Sequence, residues 1–340
     1  MTQRDTIVIG ASSGGVAALS KLCALLPGDL PASILVVLHI GARSSHLPKI
    51  LESSGPLPAR HAKDGEAARP GHIYVAPPDY HMLLEDNTIR LSRGPKENHT
   101  RPAIDPLFRS AALSRGRRVV GIVLSGYLDD GTAGLHAIKR CGGVAMVQDP
   151  AEAQADSMPL SALQNVAVDH CLGVDQLARK LADMAGEPVE QGISRRPEEL
   201  VKEHLSSTGE GNMTEKLQDI AEASTIVCPE CKGVLWELHD KAPVRFRCHT
   251  GHAYTLRSLA HEQVATAEAA LWGAVRALQD LEEVMRKLAA VNLSKGDSTL
   301  ARTAGRAADK AGQQARTVEQ LIEGESGAMP EQDEQGHIPF

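Results

Sequence analysis

The chain has 340 residues, of which 42% are hydrophobic and only 3% aromatic, enough for one large core with smaller parts attached. Its net charge of −7 argues against a nucleic-acid partner held by neutralising phosphates. No apolar run reaches the length of about 18 residues that a membrane helix needs. The start, MTQRDTIVIG, lacks the basic segment, apolar stretch and cleavage site of a secretory signal, so a cytoplasmic protein without direct membrane insertion is expected.

From Thr6 to about Ala185, short apolar runs alternate with helical patterns. Strands are expected at Thr6–Ile9, Ile34–Leu38, His72–Ala76, Val119–Leu124, Val144–Val147 and Ala167–Cys171. Helices are expected at Val16–Leu26, Ile104–Arg115 and Ala133–Arg140. Uninterrupted apolar strands separated by helices predict a doubly wound, mostly parallel α/β sheet in three layers. Tyr80–Ser92, with Asp-Asn at its middle, reads as a hairpin added to that sheet. Cys23, Cys141 and Cys171 stand apart beside apolar residues and are expected to be buried thiols of a reducing compartment. The expected organisation is a catalytic domain at 1–185, a polar linker at 186–225, a Cys/His segment at 226–254, a helical hairpin at 255–325 and a disordered tail at 326–340.

The first turn decides the chemistry. In IVIGASSGG the second glycine position of a dinucleotide fingerprint is Ser12, and Gly15 is followed by Val16 rather than by the Lys-Ser/Thr of a P-loop, so both phosphate readings fail. What remains is a serine at the carboxyl end of a strand, just before a helix whose free N–H groups favour an oxyanion. A serine nucleophile needs a base, and the base an orienting acid. His39 ends the strand ILVVLHIG, and Asp129 and Asp130 follow the strand in VVGIVLSGYLDDGTAG. Parallel strands bring such ends together, although a serine or an aspartate at a helix start can equally be a cap.

The blocks GASSGG, LHIG, KDGEAARPGHIYVAPPDYHM, TRPAIDPLF and LSGYLDDGTAG occur in this order, and together they resemble the catalytic domain of the CheB chemotaxis receptor methylesterases over residues 5–185. The resemblance implies a serine hydrolase that cleaves glutamate γ-methyl esters on methyl-accepting chemotaxis receptors, in some members with glutamine deamidation. By motif, Ser12 is the nucleophile, His39 the base and then acid, and Asp130 the orienting acid. Backbone N–H groups of Ser13 and Tyr127 would form the oxyanion hole, and no cofactor takes part in catalysis. Asp129 is expected to be a cap or an outer polar group, and His46, His72, His81 and His99 surface or structural histidines. The family's best-known members carry a receiver domain ahead of the esterase, and with five residues before the first strand none is expected in this sequence. The family pattern T-G-M-G-N-D-G is here Ser125-Gly126-Tyr127-Leu128-Asp129-Asp130-Gly131, and Gly41 replaces a usual proline. The Tyr127 change leaves open a different ester, and a receptor-binding adaptor is the alternative from another class.

CPECKG and RCHTGHAYT give the spacing C-x2-C-x16-C-x3-H, which suits a structural zinc in a zinc-ribbon-like segment. The expected ligands are Cys228, Cys231, Cys248 and His252, with His249 as the competing fourth; a metal-free segment with a redox-active Cys pair is the other reading. Leu271, Val275, Leu278, Leu281, Met285 and Leu288, then Leu300, Ala304, Ala311, Ala315, Val318 and Ile322, recur at helical steps and predict an antiparallel hairpin. It would pack on itself or on the Cys/His segment, or dock onto receptor helices, a second copy or a separate signalling partner.

Overall fold

Three segments, TIVIGA, SILVVL and VVGIV, are buried at every position. They form strands β2 (Thr6–Ala11), β3 (Ser33–Leu38) and β8 (Val119–Val123), with β2 in the middle, paired in parallel with both others. The computed structural model describes residues 2–42, 44–190, 196–207, 213–240 and 242–324. Around that centre a seven-stranded sheet runs in the order β10-β9-β8-β2-β3-β5-β4, with β4 at Ala59–His61, β5 at Ile73–Val75, β9 at Val144–Gln148 and β10 at His170–Leu172. Every pairing in it is parallel.

A sheet of this kind must be covered on both faces, because its strands carry apolar side chains on each. One face packs Ile7, Ile9, Val36 and Ile122 against α1 (Gly15–Leu25), α2 (Leu47–Ser54) and α6 (Val174–Met184). The other packs Val8, Leu35, Val37 and Val123 against α3 (Ile104–Arg115), α4 (Thr132–Arg140) and α5 (Ser157–Asn165). The fold is thus the doubly wound α/β class expected. Three details differ. β6 (His81–Glu85) and β7 (Thr88–Ser92) form a separate two-stranded sheet rather than extending the large one, because the hairpin lies over α3, with the N–H of Leu84 bonded to Ser110. Cys23 and Cys141 are buried, but Cys171 is exposed, since it lies on the edge strand β10. The segment expected as a linker is largely structured among its described residues: β11 (Pro188–Val189) pairs with β1 (Thr2–Gln3). Further along, α7 (Glu198–Ser207) buries Leu200 against the second core face, and α8 (Met213–Gln218) leads into a new sheet.

That sheet is antiparallel, in the order β12 (Ala221–Val227), β13 (Val234–Leu238), β14 (Arg245–Cys248), β15 (Ala253–Thr255), and its small core contains Leu235, Phe246, Tyr254 and Leu259. Residues 1–259 make one compact unit and residues from 260 onward a second. Within the second, α9 (Leu256–Ser294) and α10 (Ser298–Gly324) run antiparallel, with Gln279 bonded to Glu319 and Arg286 paired with Asp309. Its seam uses Val275 with Ala304, Ala308, Ala311 and Ala315, whereas Leu281, Leu288 and Leu300, expected in the stripe, are exposed. The residues expected as a disordered tail, 326–340, lie outside the described residues.

Candidate active site

Ser12 directly follows β2, His39 directly follows β3, and Asp130 lies in the loop after β8, so all three stand at the carboxyl edge of adjacent parallel strands. The loops are tied together: Ser12 N–H donates to Ser125 O at 2.9 Å and His39 N–H to Ala11 O at 3.2 Å. A side chain at Gly126 would put its Cβ 2.8 Å from Ser12 Cβ and 2.2 Å from Met158 Sδ, so only glycine lets the loop after β8 come this near. Gly14, at φ +74°, turns the chain from β2 into α1. Among the described residues, Ser13 N–H has no hydrogen-bond partner, as expected for a group at an open helix start.

His39 Nε2 lies 2.7 Å from Asp130 Oδ2. Asp130 accepts only, so Nε2 carries the proton and Nδ1 keeps a free lone pair. Asp130 is almost wholly buried, and burial by itself opposes its charge. The hydrogen bond from His39, the Ile104 N–H at 2.7 Å and the Asn98 amide at 2.9 Å outweigh burial and hold the carboxyl below its usual range. Ile104 and the next donor, Asp105 N–H at 3.2 Å, open α3, so Asp130 also sits where a helix favours an anion. Asp105 goes the other way: burial and the charge of Asp130 push it well above the carboxylate range. The negative charge of this buried pair therefore rests on Asp130, beside the imidazole.

Asp129 is buried and accepts from Thr255 Oγ1 at 2.7 Å. Burial pushes its carboxyl up to about 6 against the pull of that hydroxyl. Of the other histidines, His81 is buried, donates Nε2–H to Pro95 O and accepts Ala103 N–H on Nδ1, a structural role. His46 is exposed at the start of α2, His72 stacks on Tyr74, and His99 lies 3.8 Å from Glu230. Asn98, Asp105, Thr255 and Ser258 were missing from the sequence-derived site. Only Asp105 carried a signal, an acidic residue in the first turn of a helix within TRPAIDPLF.

The ligand atoms of Cys228, Cys231, Cys248 and His252 all lie within 4.8 Å of one another. Cys231 Sγ and Cys248 Sγ are 3.5 Å apart, and His252 Nδ1 lies 3.5 Å from Cys248 Sγ and 3.7 Å from Cys228 Sγ. Tetrahedral zinc with these ligand types needs edges of about 3.5–3.8 Å, so the set fits. His252 Nε2 meets the Glu230 carboxylate at 3.4 Å, the outer partner that a metal-bound imidazole takes. His249, the competing ligand, is exposed and packs instead against Gly233, whose added Cβ would lie 2.3 Å from its ring.

The fold is of the open, parallel-sheet α/β class, with Ser12, His39 and Asp130 at one edge of the sheet. The CheB methylesterase family profile matches residues 7–181. The chain belongs to that family. A protein from Leptospira interrogans, named for protein-glutamate methylesterase/protein-glutamine glutaminase activity, is 40% identical over 176 residues, which span 51% of this chain and 91% of that one. A protein-glutamate methylesterase/protein-glutamine glutaminase 2 of Anaeromyxobacter dehalogenans is 39% identical over 53% of each chain, so the match spans about half of that relative's length. The crystal structure of the Thermotoga maritima CheB methylesterase catalytic domain superposes with a TM-score of 0.51 at 30% identity, covering 54% of this chain and 99% of that one. No described helix is long and apolar enough to cross a membrane.

Proposed function

We propose that the chain is a serine-type ester hydrolase that removes methyl groups from glutamate γ-methyl esters of chemotaxis receptors and deamidates receptor glutamines with the same groups. The observation that carries this reading is the 2.7 Å bond between His39 and the ionised Asp130, on strand ends next to the Ser12 turn. Ser12 Oγ attacks the ester carbonyl while His39 Nδ1 takes its proton. Backbone N–H groups of Ser13 and Tyr127 stabilise the oxyanion, a term worth about 10²–10³ in rate per donor. The His39 imidazolium, held by Asp130, protonates the leaving methanol, or ammonia from a glutamine. Water then hydrolyses the glutamyl-enzyme by the reverse proton path. The Cys228, Cys231, Cys248 and His252 set would hold a structural zinc, since four protein ligands leave no open position for chemistry.

The test is methanol release from methyl-esterified receptor, compared with small methyl esters at equal ester concentration. Preferential release from the receptor is expected. Release from the small esters alone would make the chain a hydrolase of another ester, and none from any ester by folded protein would leave an adaptor. Metal analysis of protein purified without chelator is expected to find one zinc per chain. Substitution of Cys228 by serine should abolish that binding, and retention of zinc by the variant would place the metal elsewhere.

A further inference from the structure

The loop before α3 does not belong to the catalytic sheet alone. Asn98 N–H donates to Ala253 O at 2.8 Å and Ala253 N–H to Lys96 O at 3.3 Å, so residues 96–98 lie along β15 of the Cys/His sheet. The Asn98 backbone is left-handed, with φ +48°, which asparagine tolerates better than most residues. Its side chain spans two groups of partners. On one side, Nδ2 donates to Asp130 Oδ1 at 2.9 Å and Asp105 Oδ2 at 3.0 Å. On the other, Oδ1 accepts from Thr255 N–H at 3.1 Å and Ser258 Oγ–H at 2.9 Å. A flipped amide would set its oxygen against two carboxyl groups, so the orientation is determined.

Thr255 and Ser258 are themselves locked. Ser258 N–H donates to Thr255 Oγ1 at 3.0 Å and Thr255 N–H to Ser258 Oγ at 2.9 Å, a reciprocal cap at the start of α9. Thr255 Oγ1 meanwhile donates to Asp129. The cap of a helix outside the catalytic sheet therefore touches both carboxyls of the Asp129-Asp130 pair, one directly and one through Asn98. His252, in the candidate metal set, lies three residues before Thr255.

We infer that Asn98 is a positioning residue for Asp130, and that the α9 cap formed by Thr255 and Ser258 holds it in place, so that the Cys/His segment takes part in setting the base. This inference rests on the esterase reading for its consequence, but not for its geometry. Without the Asn98 amide, Asp130 loses a donor that favours its charge, and its carboxyl rises toward the ordinary range. His39 is then less firmly kept as its Nε2–H tautomer, and Nδ1 is less often available as the base.

The experiment compares the full chain with Asn98→Gly, which keeps the left-handed backbone, and Ser258→Ala. Two readouts are taken: kcat for methanol release, and the imidazole 15N shifts of His39 in histidine-labelled protein, assigned by their loss in His39→Gln. Asn98→Gly is expected to lower kcat about ten- to a hundredfold, the scale of a lost hydrogen bond to a charged group. Its two His39 nitrogens should become more alike. Ser258→Ala should shift both readouts the same way by less. Unchanged His39 shifts in Asn98→Gly would overturn the inference, and unchanged shifts in Ser258→Ala alone would overturn the part given to the Cys/His segment. Wild-type chain that releases no methanol but shows the His39 changes would reject the esterase and keep the positioning.

Discussion

Ser12→Ala is expected to lower methanol release by about 10⁴–10⁶-fold, the range seen when the nucleophile of a Ser-His-Asp enzyme is removed, with no change in the thermal transition. Stability should hold because Ser12 Oγ has no hydrogen-bond partner among the described residues, and the turn is fixed by backbone bonds, Ser12 N–H to Ser125 O and Gly15 N–H to Ser12 O, both 2.9 Å. Asp130→Asn should cost about 10⁴ by a different route. Asp130 accepts from His39 Nε2, Ile104 N–H, Asp105 N–H, Gly131 N–H and the Asn98 amide. An asparagine has one oxygen for these donors, and its amide would face the others, driving His39 to the tautomer with Nδ1 protonated. A Ser12→Ala protein keeping more than a small fraction of wild-type kcat would remove serine from the chemistry.

Glu97→Ala is the corresponding prediction for stability. Glu97 receives Arg109 on both oxygens, at 2.7 and 3.2 Å, and Arg247 at 2.9 Å. Glu203 on α7 receives Arg245 at 2.5 Å and Arg109 at 3.3 Å. All five side chains are buried, and they join the catalytic domain, α7 and β14. Such a cluster adds little over an apolar core, but breaking it strands charges, at a cost of about 3–5 kcal/mol. The melting temperature should fall by roughly 10 °C, at about 2–4 °C per kcal/mol for a unit of this size. Burial opposes the charges of Glu97 and Glu203, but the arginines outweigh it and depress both carboxyls. Their contribution is therefore present above the unfolded carboxylate value of about 4.3 and is lost as pH falls through the lower folded values. Melting curves between pH 6 and 2 should show that loss in wild type and a flatter slope in Glu97→Gln. Superimposable curves for wild type and Glu97→Ala at pH 7 would show that the cluster does not hold these parts together.

The central strands were legible because a parallel strand buried on both faces reads as an unbroken apolar run. Thr6–Ala11, Ser33–Leu38 and Val119–Val123 lie within a residue or two of expectation. The short helices α2 and α5 were not among the expected elements. The polar stretch at 186–225 read as a linker because its large buried apolar residues among those described, Leu200, Leu217 and Ile220, are too few and too widely spaced to give a periodic signal. Ser12, His39 and the Asp129-Asp130 pair were expected at strand ends from the strand pattern, and the preference for Asp130 came from the family resemblance. Asn98 was not expected, since Thr255 and Ser258 are 157 and 160 residues away and nothing local marks a residue whose partners are supplied by the fold. Between His249 and His252 the spacing likewise gave no choice, whereas in the fold the ring of His252 is the one near the three thiols.

That sequence separation also orders events during synthesis. A ribosome adds about 5–20 residues per second and domains fold from the N-terminus onward. Ser12, His39 and Asp130 can thus reach their strand ends on the order of ten seconds before residues 253–258 leave the ribosome. Until then the loop at 96–98 has no β15 beside it, and the Asn98 amide has no cap to turn it toward Asp130. A nascent chain would therefore present Ser12 well before the His39–Asp130 pair has its last hydrogen-bond partner.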